Sequence, residues 1–223
     1  MKGRVHEVFD SIQGEGLYLG EKQVFVRLHG CNLSCRYCDT KQDRFMEYEP
    51  GELLDEIKLY QDTIHSISFT GGEPLLQKDF LKEVLSMTSQ CGYKNYLETN
   101  GTLPGELRDV IDHVDLLSID LKLPTSSGMG LLWGLHRRFL EIARKKENFI
   151  KIVVCAGTSE EDLRYALSLI KEVSPASILV MQPNSYERNE EVAQKLERFK
   201  QVCSEEKVTA CVIPQVHKVI GVK

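Results

Sequence analysis

The chain lacks any apolar run near the ~20 residues that a membrane-spanning helix needs, so no membrane partner is expected. Its opening residues, MKGRVHEVFDSIQGEG, lack the apolar stretch of an export signal, and the expected location is the cytoplasm. It lacks an excess of positive charge. Lys+Arg total 28 against 33 Asp+Glu, and a formal net charge of −5 does not suit a general binder of nucleic acid. It also lacks an even set of cysteines: seven thiols without an export signal argue against a disulfide framework. Low-complexity segments, internal repeats and interdomain linkers are absent, so the 223 residues read as a single domain, 1–223. With 42% hydrophobic residues the chain can bury a sizeable core, which excludes disorder.

What is present is an alternation of short β-branched runs and longer amphipathic segments. Strands are predicted over Val24–His29, Ser66–Thr70, Asn95–Thr99, Leu116–Lys122, Phe149–Cys155, Ile178–Gln182 and Val208–Ile213. Helices are predicted over Pro50–Gln61, Asp79–Cys91, Glu106–His113, Leu131–Lys146, Ser159–Val173 and Asn189–Glu205, with Asp79 and Ser159 as N-caps. Repeated strand–helix–strand units imply right-handed crossovers and a parallel sheet. A closed eightfold barrel takes ~250 residues. This chain is shorter and one strand light, so the expected fold is α/β, an incomplete, open-sided (β/α) barrel of parallel strands.

Active sites of such folds lie at the carboxyl ends of the strands. The conspicuous polar residues fall there: Cys31, Cys35 and Cys38 after the first strand, Thr70-Gly71-Gly72-Glu73 after the second, Glu98 in the third. Asp120 and Lys122 end the fourth, Gln182 the sixth, and His217 follows the seventh. Three thiols in a C-x3-C-x2-C loop can hold three corners of a cubane iron–sulfur cluster and leave one iron open to a small molecule. Structural zinc, with His29 as a fourth ligand, and a redox-active thiol pair are the competing readings. The other four cysteines, Cys91, Cys155, Cys203 and Cys211, read as small buried hydrophobes. In VFVRLH, Phe25 and Arg27 share one face and Val24, Val26 and Leu28 the other. The pattern alone does not say which face is inward, although an interior Arg27 is expected. By itself the segment SIQGEG reads as a turn.

The cysteine spacing with Tyr37 before the last thiol, followed by Gly-Gly-Glu-Pro, resembles the radical S-adenosylmethionine superfamily. A narrower resemblance, to the 7-carboxy-7-deazaguanine synthases, rests on Phe9–Gly16, Phe25–Leu28, Cys38-Asp39-Thr40, Leu121-Lys122, Ser126–Met129 and Pro214–Lys218. It implies a [4Fe-4S] cluster on Cys31, Cys35 and Cys38. It implies S-adenosylmethionine near Tyr37, Cys38, Asp39, Gly71, Gly72, Glu73, Ser118, Asp120, Lys122 and Gln182. It further implies Mg2+ at Thr40, and a pterin held by Ile12, Gln13, Gly14, Glu15, Arg27, Thr70, Glu98 and His217. The implied reaction converts 6-carboxy-5,6,7,8-tetrahydropterin to 7-carboxy-7-deazaguanine with loss of ammonia, in a homodimer fed by an electron donor such as flavodoxin or ferredoxin. Two other functions compete: an activase that places a glycyl radical on a protein partner, and a zinc-stabilised binding module without catalysis.

Overall fold

The computed structural model describes residues 1–40, 43–60, 63–187 and 189–221. Among the described residues nine strands form one sheet in the order β3-β1-β2-β4-β5-β6-β7-β8-β9. The seven strands anticipated from sequence are the parallel ones: β2 (Lys22–Leu28), β4 (Ser66–Gly71), β5 (Asn95–Thr99), β6 (Leu116–Asp120), β7 (Glu147–Val154), β8 (Leu179–Pro183) and β9 (Ala210–Val212). Two strands were not anticipated. β1 (Gly3–Ile12) runs antiparallel along β2, and β3 (Met46–Tyr48) runs antiparallel along β1. Their sequences lack a clean polar–apolar alternation, because β1 is mostly half-buried and β3 largely exposed. The sheet is open: β3 and β9 are its two edges.

Among the described residues there are eight α-helices: α1 (Pro50–Ile57), α2 (Lys78–Gln90), α3 (Pro104–Val110), α4 (Pro124–Ser127), α5 (Trp133–Ala143), α6 (Glu160–Val173) and α7 (Glu190–Glu205), which follow the parallel strands, and α8 (Val216–Ile220), which lies at the inner mouth. Several boundaries differ from expectation. α1 stops at Ile57, and the predicted end at Gln61 lies outside the described residues. Gln77, not Asp79, precedes α2, and Asp79 sits in its first turn where the helix dipole favours an anion. α5 is shorter than Leu131–Lys146 at both ends. Ser159 does cap α6, its hydroxyl accepting from the Asp162 amide.

Side-chain alternation along the strands builds two layers. Val24, Val26, Leu28, Ile67, Phe69, Leu97, Leu117, Ile119, Ile150 and Ile152 face the helices in the main core. The opposite face turns inward. At its lower end Tyr96, Leu116, Phe149 and Val180 form a separate apolar floor, closed by Tyr18, Cys211 and Ile213. Above that floor the same strands present polar groups. Cys155 and Cys203 are buried as expected, but Cys91 is exposed at the end of α2.

Candidate active site

The inward face opens at the carboxyl end of the parallel strands into a cavity of about 550 Å³. Its wall contains Phe25 and Arg27, which settles the inward face of β2. Every residue anticipated from sequence lines this cavity except Glu73.

The cysteine loop forms one side. Cys31, Cys35 and Cys38 are free thiols on the wall, and the Cys38 amide donates to the Cys35 carbonyl in a tight turn. Burial raises the pKa of the Cys31 and Cys35 thiols, against nearby charge from Lys122. Three anchors hold the loop. Asn100 Nδ2 donates to Asn32 Oδ1 at 2.8 Å, and Asn32 Nδ2 to Thr102 Oγ1 at 2.9 Å. The Arg36 amide donates to the Ser127 carbonyl at 2.9 Å. At Gly72 a Cβ would lie 2.2 Å from the Gly30 carbonyl oxygen and 2.8 Å from Cys31 Cβ, so only glycine permits this approach.

The donors fit an iron–sulfur group better than a single ion. Among the described residues no three His, Cys, Asp or Glu side chains converge as ligands of one metal. Three thiols on one tight loop are the donor set that a cubane cluster with one open iron takes.

Glu73 departs from expectation. It is fully buried behind the wall, and its carboxylate accepts from Thr99 Oγ1, the Asn100 amide and the Leu75 amide. Burial pushes its pKa up to about 7 despite those donors. The geometry makes it a brace for the Thr99-Asn100 turn.

Opposite the cysteines, the segment after β1 forms the second side. Gln13 Nε2 donates to Gln23 Oε1 at 2.9 Å and Glu98 Oε1 at 3.1 Å, while Gln13 Oε1 accepts the Glu15 amide. Ser68 donates to the same Glu98 oxygen at 2.6 Å. Glu15 accepts from Lys151 Nζ and from Gln215 Nε2, each at 2.6 Å. Burial is the largest influence on it and opposes ionisation, but the Lys151 ammonium, the Gln215 amide and His217 together outweigh burial and draw its pKa down to about 2. These side chains were expected to present themselves to a ligand. They line the cavity and are also braced by the protein, which fixes their orientation in advance. Arg27 Nε donates to Glu7 at 2.8 Å. A guanidinium carries five N–H donors, so that pair does not exhaust it. Phe9 stacks on Phe25 at 5.1 Å beside it.

Charges alternate across the base: Glu15, Lys151, Asp120, Lys122. Lys151 Nζ lies 3.5 Å from Asp120, and Lys122 Nζ 2.9 Å from the same carboxylate. Lys122 also sits 5.2 Å over the Tyr37 ring. Among the described residues the Tyr37 hydroxyl, Asp120 Oδ1 and Gln182 Oε1 are buried with no hydrogen-bond partner, three polar atoms that a ligand would satisfy.

The sequence reading missed several cavity residues. Lys151 is a lone charge in the apolar run FIKIVV, and that signal was available. Gln215, on the wall, and Lys218, beside it, stand in the segment Pro214–Lys218 that carries the resemblance, but the resemblance gives neither a role. They matter because the carboxyl-terminal segment folds back over the mouth. The Val216 amide donates to the Gly14 carbonyl at 2.9 Å, Gln215 reaches Asp39 at 3.3 Å, and Lys218 pairs with Asp39. His217 packs so closely on Gly14 that a Cβ there would lie 2.2 Å from its Nδ1.

Comparison with known proteins agrees with this geometry. The Radical SAM superfamily pattern matches residues 25–196. The 7-carboxy-7-deazaguanine synthase of Geobacter sulfurreducens is 40% identical over 202 residues, covering 80% of each chain. That of Methanothermobacter thermautotrophicus is 34% identical and covers 100% of this chain and 99% of its own. Among solved structures, QueE from Escherichia coli superposes with a TM-score of 0.67 at 20% identity, covering 95% of this chain and 93% of its own, which supports the fold. A cysteine loop and a braced SIQGEG segment on one cavity, together with full-length relatives of this kind, place the chain in the radical S-adenosylmethionine superfamily. Within it the chain belongs to the 7-carboxy-7-deazaguanine synthases, lyases that work with a [4Fe-4S] cluster and S-adenosylmethionine.

Proposed function

We propose that this chain converts 6-carboxy-5,6,7,8-tetrahydropterin to 7-carboxy-7-deazaguanine and ammonia. The observation that carries the reading is that one cavity joins the cysteine loop to the SIQGEG segment, so cofactor and pterin meet in a single void. Substrate minus ammonia equals product, so the change is redox-neutral overall and S-adenosylmethionine can be returned intact. When bound, the cluster and S-adenosylmethionine supply the one-electron chemistry that starts the reaction.

The chain's own residues bind and orient. Cys31, Cys35 and Cys38 hold the cluster, and Gly71 and Gly72 let backbone approach the cofactor. Ser118, Asp120, Lys122, Gln182, Tyr37 and Asp39 form the cofactor's polar surroundings. Arg27 takes the pterin carboxylate, a pairing that guanidinium geometry favours. Phe9 and Phe25 give the flat ring an apolar wall. Glu98, held by Ser68 and Gln13, accepts from the amino-bearing edge, with Ile12, Gly14, Glu15, Thr70 and His217 closing round it. Thr40, on the cavity wall, supplies one of several oxygens to Mg2+. The reading extends to a single cytoplasmic domain acting as a homodimer, reduced by a flavodoxin or ferredoxin, with no part played by nucleic acid. No helix among the described residues is long and apolar enough to cross a membrane.

An activase needs a broad docking surface for a protein partner. An inward cavity with pre-braced polar groups suits a small ring instead. The test is turnover by anaerobically reconstituted protein with reductant, S-adenosylmethionine and the carboxytetrahydropterin. The deazaguanine acid is expected, and its absence from cluster-replete protein ends the proposal.

A further inference from the structure

Lys151 is assigned no part in the reaction described above, yet it occupies the centre of the cavity base. It lies at mid-strand in β7, directly opposite Asp120 of β6. Its side chain is 11% exposed. Its ammonium touches two carboxylates that belong to different halves of the site. Glu15, at 2.6 Å, comes from the segment that faces the pterin. Asp120, at 3.5 Å, belongs to the cofactor side. Asp120 in turn holds Lys122 at 2.9 Å, and Lys122 lies over Tyr37 of the cysteine loop. Among the described residues, Lys151 is the one cation paired with both Glu15 and Asp120.

The sharing is unequal, and that makes it responsive. A ligand whose N–H groups engage Glu15 competes with Lys151 for the same oxygen. The ammonium can then close its longer gap to Asp120. A carboxylate that gains one cation holds the other less firmly, so Lys122 becomes available to an incoming anionic group. The carboxylate of S-adenosylmethionine is such a group. Filling the pterin half therefore prepares the cofactor half, and linkage requires the reverse to the same extent.

Resting on the proposed function, we infer that Lys151 is a positioning residue that couples pterin binding to S-adenosylmethionine binding through Glu15 and Asp120. Coupling of this kind keeps the radical precursor from being tightly held until the pterin is in place. The step is a transfer of ion pairing, with no bond made or broken.

The test is calorimetry on cluster-loaded, oxidised holoenzyme without reductant, so that nothing turns over. S-adenosylmethionine affinity is measured with and without the carboxytetrahydropterin. In the unaltered protein the pterin is expected to tighten S-adenosylmethionine roughly tenfold, within the usual span of coupling between sites. In Lys151→Met each ligand still binds and the ratio falls to about one. A ratio preserved in Lys151→Met overturns the inference, as does a ratio of one in the unaltered protein that binds both ligands. Failure of the unaltered protein to bind the pterin at all overturns the proposed function itself, a separate result. If Lys151→Met leaves Glu15 buried and unpaired and the protein does not fold, Glu15→Gln/Lys151→Met removes both charges together. Coupling that survives in that double variant equally overturns the inference.

Discussion

The floor of the barrel and the cavity above it are built from the same strands, two residues apart. Tyr96 is floor and Glu98 is cavity on β5; Leu116 is floor and Ser118 and Asp120 are cavity on β6. Phe149 gives way to Lys151 on β7, and Val180 to Gln182 on β8. A period of two keeps each pair on one face, so only position along the strand separates a dry layer from a charged one. The floor seals the lower end against water. The charges above it work in a low-dielectric setting, where pairing and pre-orientation count for more than they would in solvent.

Changes that break this division should scale with how completely they remove one half. Cys35→Ala takes away a proposed cluster ligand at the top of the cavity. Iron and sulfide content should collapse and turnover fall below detection, and a full complement of both would show that Cys35 is not a ligand. Phe149→Ala opens the floor and should cost ~3–5 kcal/mol in urea unfolding. It should also lower turnover, because Gly16 packs on the Phe149 ring and carries the turn that presents Glu15. Loss of stability below ~1 kcal/mol would mean the floor collapses to fill the space.

Glu73 tests the buried brace between the halves. Its folded pKa of about 7 stands above an ordinary 4.5, so the folded state favours the proton. The associated stability is fully present below pH 4.5 and is lost as pH rises through 7. At ~1.4 kcal/mol per pH unit the loss is at most ~3 kcal/mol. Glu73→Gln should flatten that fall in unfolding experiments at pH 5 and pH 8; an unchanged slope would place the titration elsewhere. The smallest effect belongs to the open rim. Thr40→Ala should retain the cluster and reduce activity at limiting Mg2+ by ~10-fold or less, since one hydroxyl is a minor share of a hard cation's ligands. An identical Mg2+ response would remove Thr40 from the metal site.

Much of this was legible beforehand, for identifiable reasons. Parallel strands covered on both faces read as apolar runs, so all seven parallel strands were found. β1 and β3 escaped because their burial is partial and neither run declares a face. The cysteine loop and the glycines of TGGEP announced themselves by local spacing. Spacing gave the neighbourhood of Glu73 but not its direction, and its carboxylate accepts from Thr99 and Asn100.

Local sequence determined the thiol triplet, the strand–helix rhythm and the cap at Ser159, since each depends on residues within a few positions of one another. Only the tertiary structure decided that Glu15 meets Lys151, 136 positions away, and Gln215, 200 positions away. Those contacts depend on strand register and on where the carboxyl-terminal segment returns to the barrel mouth. Both are set by packing of the whole sheet, and no local pattern encodes them.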